Sequence, residues 1–132
     1  MTDDFRAVAP RHLNDAHVLS QSNRWAATAY IGGYAIECGL KAFFLKWQDA
    51  REFSHDIQWL HKAITLLHVD SSYAKYAVQL TPLRPGTLCW SEKLRYKKAH
   101  PAFDPKSVSD ILEDASAIVC LMQEAMLDGK IA

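Results

Sequence analysis

The chain has 132 residues, of which 49% are hydrophobic and 23% charged, a size and balance typical of one globular domain. Its 15 basic and 15 acidic residues give no net charge, which argues against a general polyanion-binding protein but leaves local patches open. Three cysteines without Cys-x-x-Cys spacing argue against a disulfide framework or a zinc site.

Hydrophobic runs are too short for a membrane segment. The longest uncharged run lies between Arg24 and Glu37 and has 12 residues, whereas a spanning helix needs about 20. The acidic N-terminus lacks the apolar core of a signal peptide. We therefore expect a cytoplasmic protein with no membrane partner.

The first predicted helix covers about residues 10–21, where apolar side chains recur every three to four residues. Pro10 fits the first turn of a helix, where a missing N–H has no cost. Ser22 and Asn23 then offer a break and an N-cap for the next helix.

A second helix is predicted over about residues 24–47, and it is apolar on nearly every side. Such a helix is expected at the centre of a bundle. Gly32, Gly33 and Gly39 each cost a helix up to about 1 kcal/mol relative to alanine. We expect that neighbouring helices approach closely at these glycines and offset that cost.

Two further helices are predicted at about 56–68 and 71–80, followed by a long loop at 81–103. A loop of this length usually carries function or contains a short helix. We expect one helical turn near 91–95, anchored by Trp90.

The last helix is predicted over about residues 105–128. Asp104 is placed as its N-cap, Pro105 as its first residue and Gly129 at its C-terminal end. Its apolar residues repeat as in a helical bundle: Val108, Ile111, Ala115, Ile118, Met122 and Ala125. The sequence as a whole thus predicts one all-α domain over 1–132, an up-and-down bundle of four to five helices.

Charge is unevenly distributed between the long loop and the last helix. Residues 84–106 carry six basic and two acidic side chains, whereas the following helix carries Asp110, Glu113, Asp114, Glu124 and Asp128. A basic loop beside an acidic helix is expected to pair with it or with a partner.

Three short motifs along the chain are informative in combination. The segment 34–42 (YAIECGLKA) contains Glu37 and Lys41, His55 and Asp56 precede the third predicted helix, and the pair Arg95-Tyr96 precedes the last one. These motifs resemble the signature second helix, the opening of the next helix and the basic-aromatic pair of the HEPN family, whose members are small helical domains associated with nucleotides and RNA.

This resemblance implies a bundle of four or five helices that often forms homodimers. Some family members pair with a nucleotidyltransferase in toxin–antitoxin or defence modules. Others are ribonucleases that need no metal and use an Arg-x(4–6)-His motif. Nucleotide, RNA or a nucleotidyltransferase-type protein are therefore the expected partners, and no cofactor is expected.

Glu37 and Lys41 have the i,i+4 spacing of a helical ion pair. In so apolar a helix the pair is expected to be buried, which requires full pairing. We favour the interpretation that Glu37 anchors the segment of His55 and Asp56, with His55 bonded to Glu37 or to backbone. A role in binding a ligand or partner is the alternative for all three charged side chains.

The segment 95–100 satisfies Arg-x4-His with Arg95 and His100. In a ribonuclease the arginine would hold the scissile phosphate and the histidine would transfer a proton. On one helix, five residues would turn the two side chains about 140° apart, but Pro101 moves His100 out of helical geometry. The interleaved Tyr96, Lys97 and Lys98 are candidates for contacts with phosphates or bases.

The six histidines show no metal-binding spacing, so no metal site is expected. The sequence leaves three functions open. The favoured one is a HEPN-like module that binds nucleotide, RNA or a nucleotidyltransferase-type partner without catalysis. The alternatives are a metal-independent endoribonuclease toxin that uses Arg95 and His100, and a structural dimerisation module.

Overall fold

A computed structural model gives the fold and describes residues 4–48, 55–66 and 74–130. These residues form six α-helices: α1 Phe5–Gln21, α2 Trp25–Gln48, α3 Ile57–Leu66, α4 Ala74–Ala77, α5 Pro85–Leu88 and α6 Pro105–Leu127. Two 3₁₀ turns, Glu92–Tyr96 and Pro101–Phe103, join α5 to α6. The described residues contain no strand, and the predicted all-α bundle is confirmed.

Helix α2 lies at the centre of the bundle and packs against α1, α3 and α6. Its residues from Ala35 to Phe43 are all buried, as expected for a helix that is apolar on nearly every side. The predicted apolar repeat of α6 faces this centre, since Val108, Ile111 and Met122 are each buried. No helix in the described ranges is both long and apolar enough to cross a membrane.

Close approach of a neighbouring helix is confirmed at Gly39, which faces α6, whereas at Gly33 the approaching group is Trp90, which lies outside the helices. A Cβ built on Gly33 would lie 1.8 Å from the indole nitrogen of Trp90, and one on Gly39 would lie 2.8 Å from Ile118. Both distances are far below van der Waals contact, so only glycine lets Trp90 seat against the backbone of α2. Trp90 Nε1 donates to the carbonyl of Tyr30 at 3.3 Å, which anchors the segment before the first 3₁₀ turn as predicted.

The predicted start of the first helix was wrong. Helix α1 begins at Phe5, with Asp4 as N-cap, so Pro10 lies inside the helix rather than in its first turn. The Asp4 side chain accepts from the amide of Ala7 at 3.4 Å. This carboxylate satisfies an N-terminal donor and allows the helix to begin before the proline.

Helix α4 is shorter than predicted, because it ends at Ala77 instead of Leu80. Pro82 follows closely, and a proline disfavours helical conformation in the residue before it. The predicted end of the third helix at residue 68 and the predicted start of the fourth at 71 lie outside the described residues.

The long loop contains more regular structure than predicted. The turn near 91–95 is confirmed as the first 3₁₀ turn, but α5 and the second 3₁₀ turn were not anticipated. Pro85, Pro101 and Pro105 each occupy the first position of the element they open. Proline is suited to this position because its fixed φ matches a helix and its missing N–H would be unbonded there.

Candidate functional site

Four polar side chains recur along one face of α2: Tyr30, Tyr34, Glu37 and Lys41. Their spacing of four, three and four residues brings them onto a single stripe of the helix. Contacts from this stripe reach α1, the residues that precede α3 and the first 3₁₀ turn. Of the predicted site residues, Glu37 and Lys41 therefore lie on the central helix, and His55 and Arg95 contact it.

Glu37 and Lys41 form a buried ion pair. Glu37 is 3% exposed and Lys41 is 4% exposed, and Lys41 Nζ donates to Glu37 Oε2 at 3.1 Å. The Lys41 ammonium also lies 5.6 Å from the centre of the Phe5 ring. Buried charges are costly unless they are paired, and here each carries its opposite partner.

His55 connects this pair to two other elements. Its Nδ1 lies 3.1 Å from both carboxylate oxygens of Glu37, and its Nε2 lies 3.4 Å from Oε2 of Glu92. Asp56 caps α3 through Oδ1, which accepts from the amides of Gln58 and Trp59 at 3.0 and 3.2 Å. Glu37 thus anchors the start of α3, and a ligand-binding role for Glu37, Lys41 and His55 stays a prediction.

The N-terminal half of the stripe consists of Tyr30 and Tyr34, and it contacts Arg95. Tyr30 donates to the hydroxyl of Tyr34 at 3.3 Å, and Arg95 Nη1 donates to the Tyr30 hydroxyl at 3.5 Å. Burial raises the pKa of the Tyr34 hydroxyl above its usual range, and its bond with Tyr30 adds to the shift. The Tyr34 ring packs edge-on against Trp90 with centroids 5.4 Å apart.

His12 of α1 also faces this stripe. Its ring centroid lies 6.2 Å from that of Tyr34, and its buried Nδ1 has no hydrogen-bond partner among the described residues. Burial lowers the pKa of His12, and the nearby Arg11 lowers it further. His12 is therefore held as a neutral imidazole within the fold.

The surface beyond Arg95 is exposed and basic, and we name residues Lys93–Lys98 the basic turn. It carries four cations: Lys93, Arg95, Lys97 and Lys98. Among the described residues, none of the four pairs with a carboxylate, and all four are exposed. Tyr96 is 72% exposed, and the Arg95 guanidinium lies 4.7 Å from the centre of its ring.

Arg95 and His100 lie on different elements, as the predicted break at Pro101 requires. Arg95 belongs to the first 3₁₀ turn, and His100 caps the second in an extended conformation, with φ −163° and ψ 148°. His100 Nδ1 accepts from the amide of Ala102 at 3.1 Å. A neutral His100 therefore carries its proton on Nε2.

A depression lies between α2 and the two 3₁₀ turns. Its volume is about 260 Å³, and we name it the Tyr30–Phe103 depression. It is lined by Ala26, Ala27, Tyr30, Leu94, Arg95, Lys97 and Phe103. The His100 ring is not part of this lining, but its centroid lies 6.0 Å from that of Phe103. Arg95 thus lines the depression, whereas His100 lies outside its lining and next to Phe103.

A larger depression of about 570 Å³ lies between α1 and α6. Its cation, Arg84, is already neutralised, because Arg84 contacts Glu113 at 3.1 Å and also forms an ion pair with Asp114. The walls include His17, whose Nε2 lies 3.5 Å from the hydroxyl of Ser116. This depression lacks a free charge that would select a ligand.

Sequence reasoning missed the role of Asp114 as an anchor. Its carboxylate is 3% exposed and accepts from the Arg84 amide at 2.8 Å and from the Thr87 hydroxyl at 2.6 Å. Asp110, one turn earlier, accepts from the Gly86 amide at 2.9 Å. The expected pairing of the loop with the acidic helix is therefore confirmed at Arg84. The i,i+4 spacing of the two aspartates was the available signal.

Comparison with known families agrees with this geometry. The HEPN domain model matches residues 3–125, nearly the whole chain. The protein therefore belongs to the HEPN family. Neither the curated proteins nor the solved structures contain a match to the chain.

Proposed function

We propose that this chain is a HEPN module that binds RNA or a nucleotide through the basic turn. The main support for this proposal is that the positive charges at that surface are exposed and are not neutralised by the described part of the chain. Four cations lie within six residues, they are exposed, and no carboxylate among the described residues neutralises them. Glu92, the acidic residue beside them, faces His55 instead.

Phosphate oxygens are the ligands that such a surface favours. Arginine and lysine bind phosphates through charge-assisted hydrogen bonds, and phosphate contacts supply most of the affinity of non-specific nucleic-acid binding. Tyr96 adds an exposed ring on which a base can stack. Family membership supports the same class of ligand.

We also propose that the module works with a protein partner. Its family resemblance favours homodimerisation and a nucleotidyltransferase-type partner in a toxin–antitoxin or defence setting. Light scattering of the purified chain measures its oligomeric state, and co-purification with a co-encoded nucleotidyltransferase tests the second association. A monomer that captures no such partner contradicts this part of the proposal.

A metal-independent ribonuclease is the second candidate function. The geometry that favours it is that Arg95 lines the Tyr30–Phe103 depression while His100 lies beside Phe103, one of its other lining residues. Arg95 is placed to hold a phosphate there, and the Nε2–H of a neutral His100 is a proton donor for a leaving oxygen. The third candidate, a structural dimerisation module, needs neither residue.

One experiment separates the three functions. Fluorescently labelled single-stranded RNA is incubated with the protein in EDTA, and binding and cleavage are both measured. Binding without cleavage supports the module, whereas cleavage lost in Arg95→Ala and in His100→Ala supports the ribonuclease. A chain that neither binds nor cleaves RNA, and that binds no labelled ATP in the same assay, leaves only the dimerisation module.

A further inference from the structure

We infer that the Tyr30–Phe103 depression holds one nucleobase of the bound RNA or nucleotide, while Arg95 and Lys97 at its rim hold the adjoining phosphate. This inference rests on the proposed function and assigns a subsite to it. It follows from the shape, the lining and the charge of the depression.

The lining suits a flat ring. Ala26 and Ala27 carry no side chain beyond Cβ, so a planar group can approach the backbone of α2 closely. The aromatic rings of Tyr30 and Phe103 and the side chain of Leu94 complete the walls. Stacking of bases on aromatic side chains is favourable for every base, because each has a π-face.

The charge at the rim complements a nucleotide. Arg95 and Lys97 both line the depression, and no carboxylate among the described residues does. The larger depression between α1 and α6 differs, because its Arg84 is bonded to Glu113. A base in the Tyr30–Phe103 depression would therefore place its own phosphate beside two cations that no carboxylate of the described chain neutralises.

The volume limits the ligand to one unstacked base. At about 260 Å³, the depression is slightly smaller than the roughly 300 Å³ at which pockets for drug-sized ligands begin. One ring system with part of its sugar fits this space, whereas a stacked base pair does not. The occupant is therefore a base of a single strand or a free nucleotide, and the test distinguishes these sources.

The test fills the depression without altering any charge. Ala26 is exposed, so Ala26→Leu adds its side chain to the depression rather than to the core. Ala7→Leu, at an exposed alanine of α1, is the matched control. Affinities are measured by fluorescence anisotropy for a labelled single-stranded RNA, and by competition for AMP, ATP and inorganic tripolyphosphate.

Loss of one stacked base lowers affinity by about tenfold. We expect Ala26→Leu to lose RNA affinity by this factor, to bind tripolyphosphate as the wild type does, and to keep the thermal stability of the wild type. If the subsite accepts a free nucleotide, AMP should compete with RNA and ATP should compete better than tripolyphosphate, and Ala26→Leu should abolish both effects. If only RNA affinity falls in Ala26→Leu, the subsite accepts a base within a strand.

Equal RNA affinity in Ala26→Leu, Ala7→Leu and the wild type would overturn the base subsite. Failure of the proposed function gives a different result, because the wild type would then bind neither RNA nor tripolyphosphate. Binding of tripolyphosphate and RNA with equal affinity, unaffected by Ala26→Leu, would keep the phosphate surface and reject the base subsite.

Discussion

Two charged regions of this protein lie side by side and differ in how their charges are satisfied. Around Glu37, the polar side chains contact one another: Lys41 forms an ion pair with Glu37, and the His55 ring lies between the carboxylates of Glu37 and Glu92. In the basic turn, Arg95 lies against the Tyr96 ring, and all four cations are exposed. Charged side chains that are paired within the chain stabilise the packing of its helices, whereas exposed cations without a carboxylate partner can bind a ligand. Substitutions in the two regions should therefore affect different properties.

The largest expected effect on stability comes from breaking the buried ion pair. Glu37→Ala removes the carboxylate that accepts from the buried Lys41 ammonium, and loss of one member of a buried ion pair costs about 3–5 kcal/mol. Urea denaturation measures this as a lower free energy of unfolding. The double variant Glu37→Leu/Lys41→Leu should recover much of the loss, because it removes both charges of the buried pair together. Unchanged stability in Glu37→Ala would show that the pair does not support the fold.

A smaller loss of stability is expected where Trp90, just before the first 3₁₀ turn, packs against α2. Gly33→Ala places a Cβ 1.8 Å from the Trp90 indole nitrogen, and overpacking of this kind costs about 1–3 kcal/mol. Gly39→Ala is the matched control and should cost less, since mainly a methyl of Ile118 must move. Thermal unfolding ranks the two variants, and near-ultraviolet circular dichroism reports displacement of the indole. Equal stabilities for Gly33→Ala and the wild type would contradict close packing of Trp90 on α2.

A pH effect is expected at His12. Its pKa is lowered in the folded protein by burial, while an unfolded imidazole titrates near 6.5. As pH falls below about 6.5, the unfolded chain takes up a proton that the folded chain refuses, so stability decreases down to the folded pKa. His12→Leu should flatten this part of the stability curve, measured by urea denaturation at several pH values. His17→Leu, at an exposed histidine of the same helix, should not; identical curves for both variants would contradict the role of burial.

The smallest effect on stability is expected in the basic turn. Arg95→Ala/Lys97→Ala/Lys98→Ala removes exposed side chains without carboxylate partners among the described residues, and such changes alter stability by about 0.5 kcal/mol or less. Denaturation curves should overlay those of the wild type. A loss comparable to that of Glu37→Ala would show that these cations support the fold, and the distinction between the two regions would fail.

The helices that rest on long periodic patterns were predictable from sequence. The repeats of α2 and α6, the close approach at Gly33 and the stop at Gly129, where φ is +73°, all follow from local chemistry. The start of α1 was mispredicted because Pro10 is a strong local signal, and the Asp4 cap that overrides it is a weaker one.

The site was less predictable, because its partners come from distant parts of the chain. Tyr30 and Tyr34 share the stripe of Glu37 and Lys41 through their spacing, so that stripe was visible in principle. No spacing indicates that Arg95 reaches Tyr30, 65 residues away, or that Glu92 faces His55. Such contacts depend on how α2 and the 3₁₀ turns pack together.

The most direct test of the central claim is the salt dependence of RNA binding. Each lost phosphate contact reduces the slope of log K against log salt by about 0.7 for a single strand. For the Arg95→Ala/Lys97→Ala/Lys98→Ala variant we predict a slope about 2 units shallower than that of the wild type. The control Arg11→Ala/Lys62→Ala/Lys130→Ala, which removes three exposed cations elsewhere, should keep the wild-type slope. Equal slopes for both triple variants would contradict the assignment of the basic turn as the phosphate-binding surface.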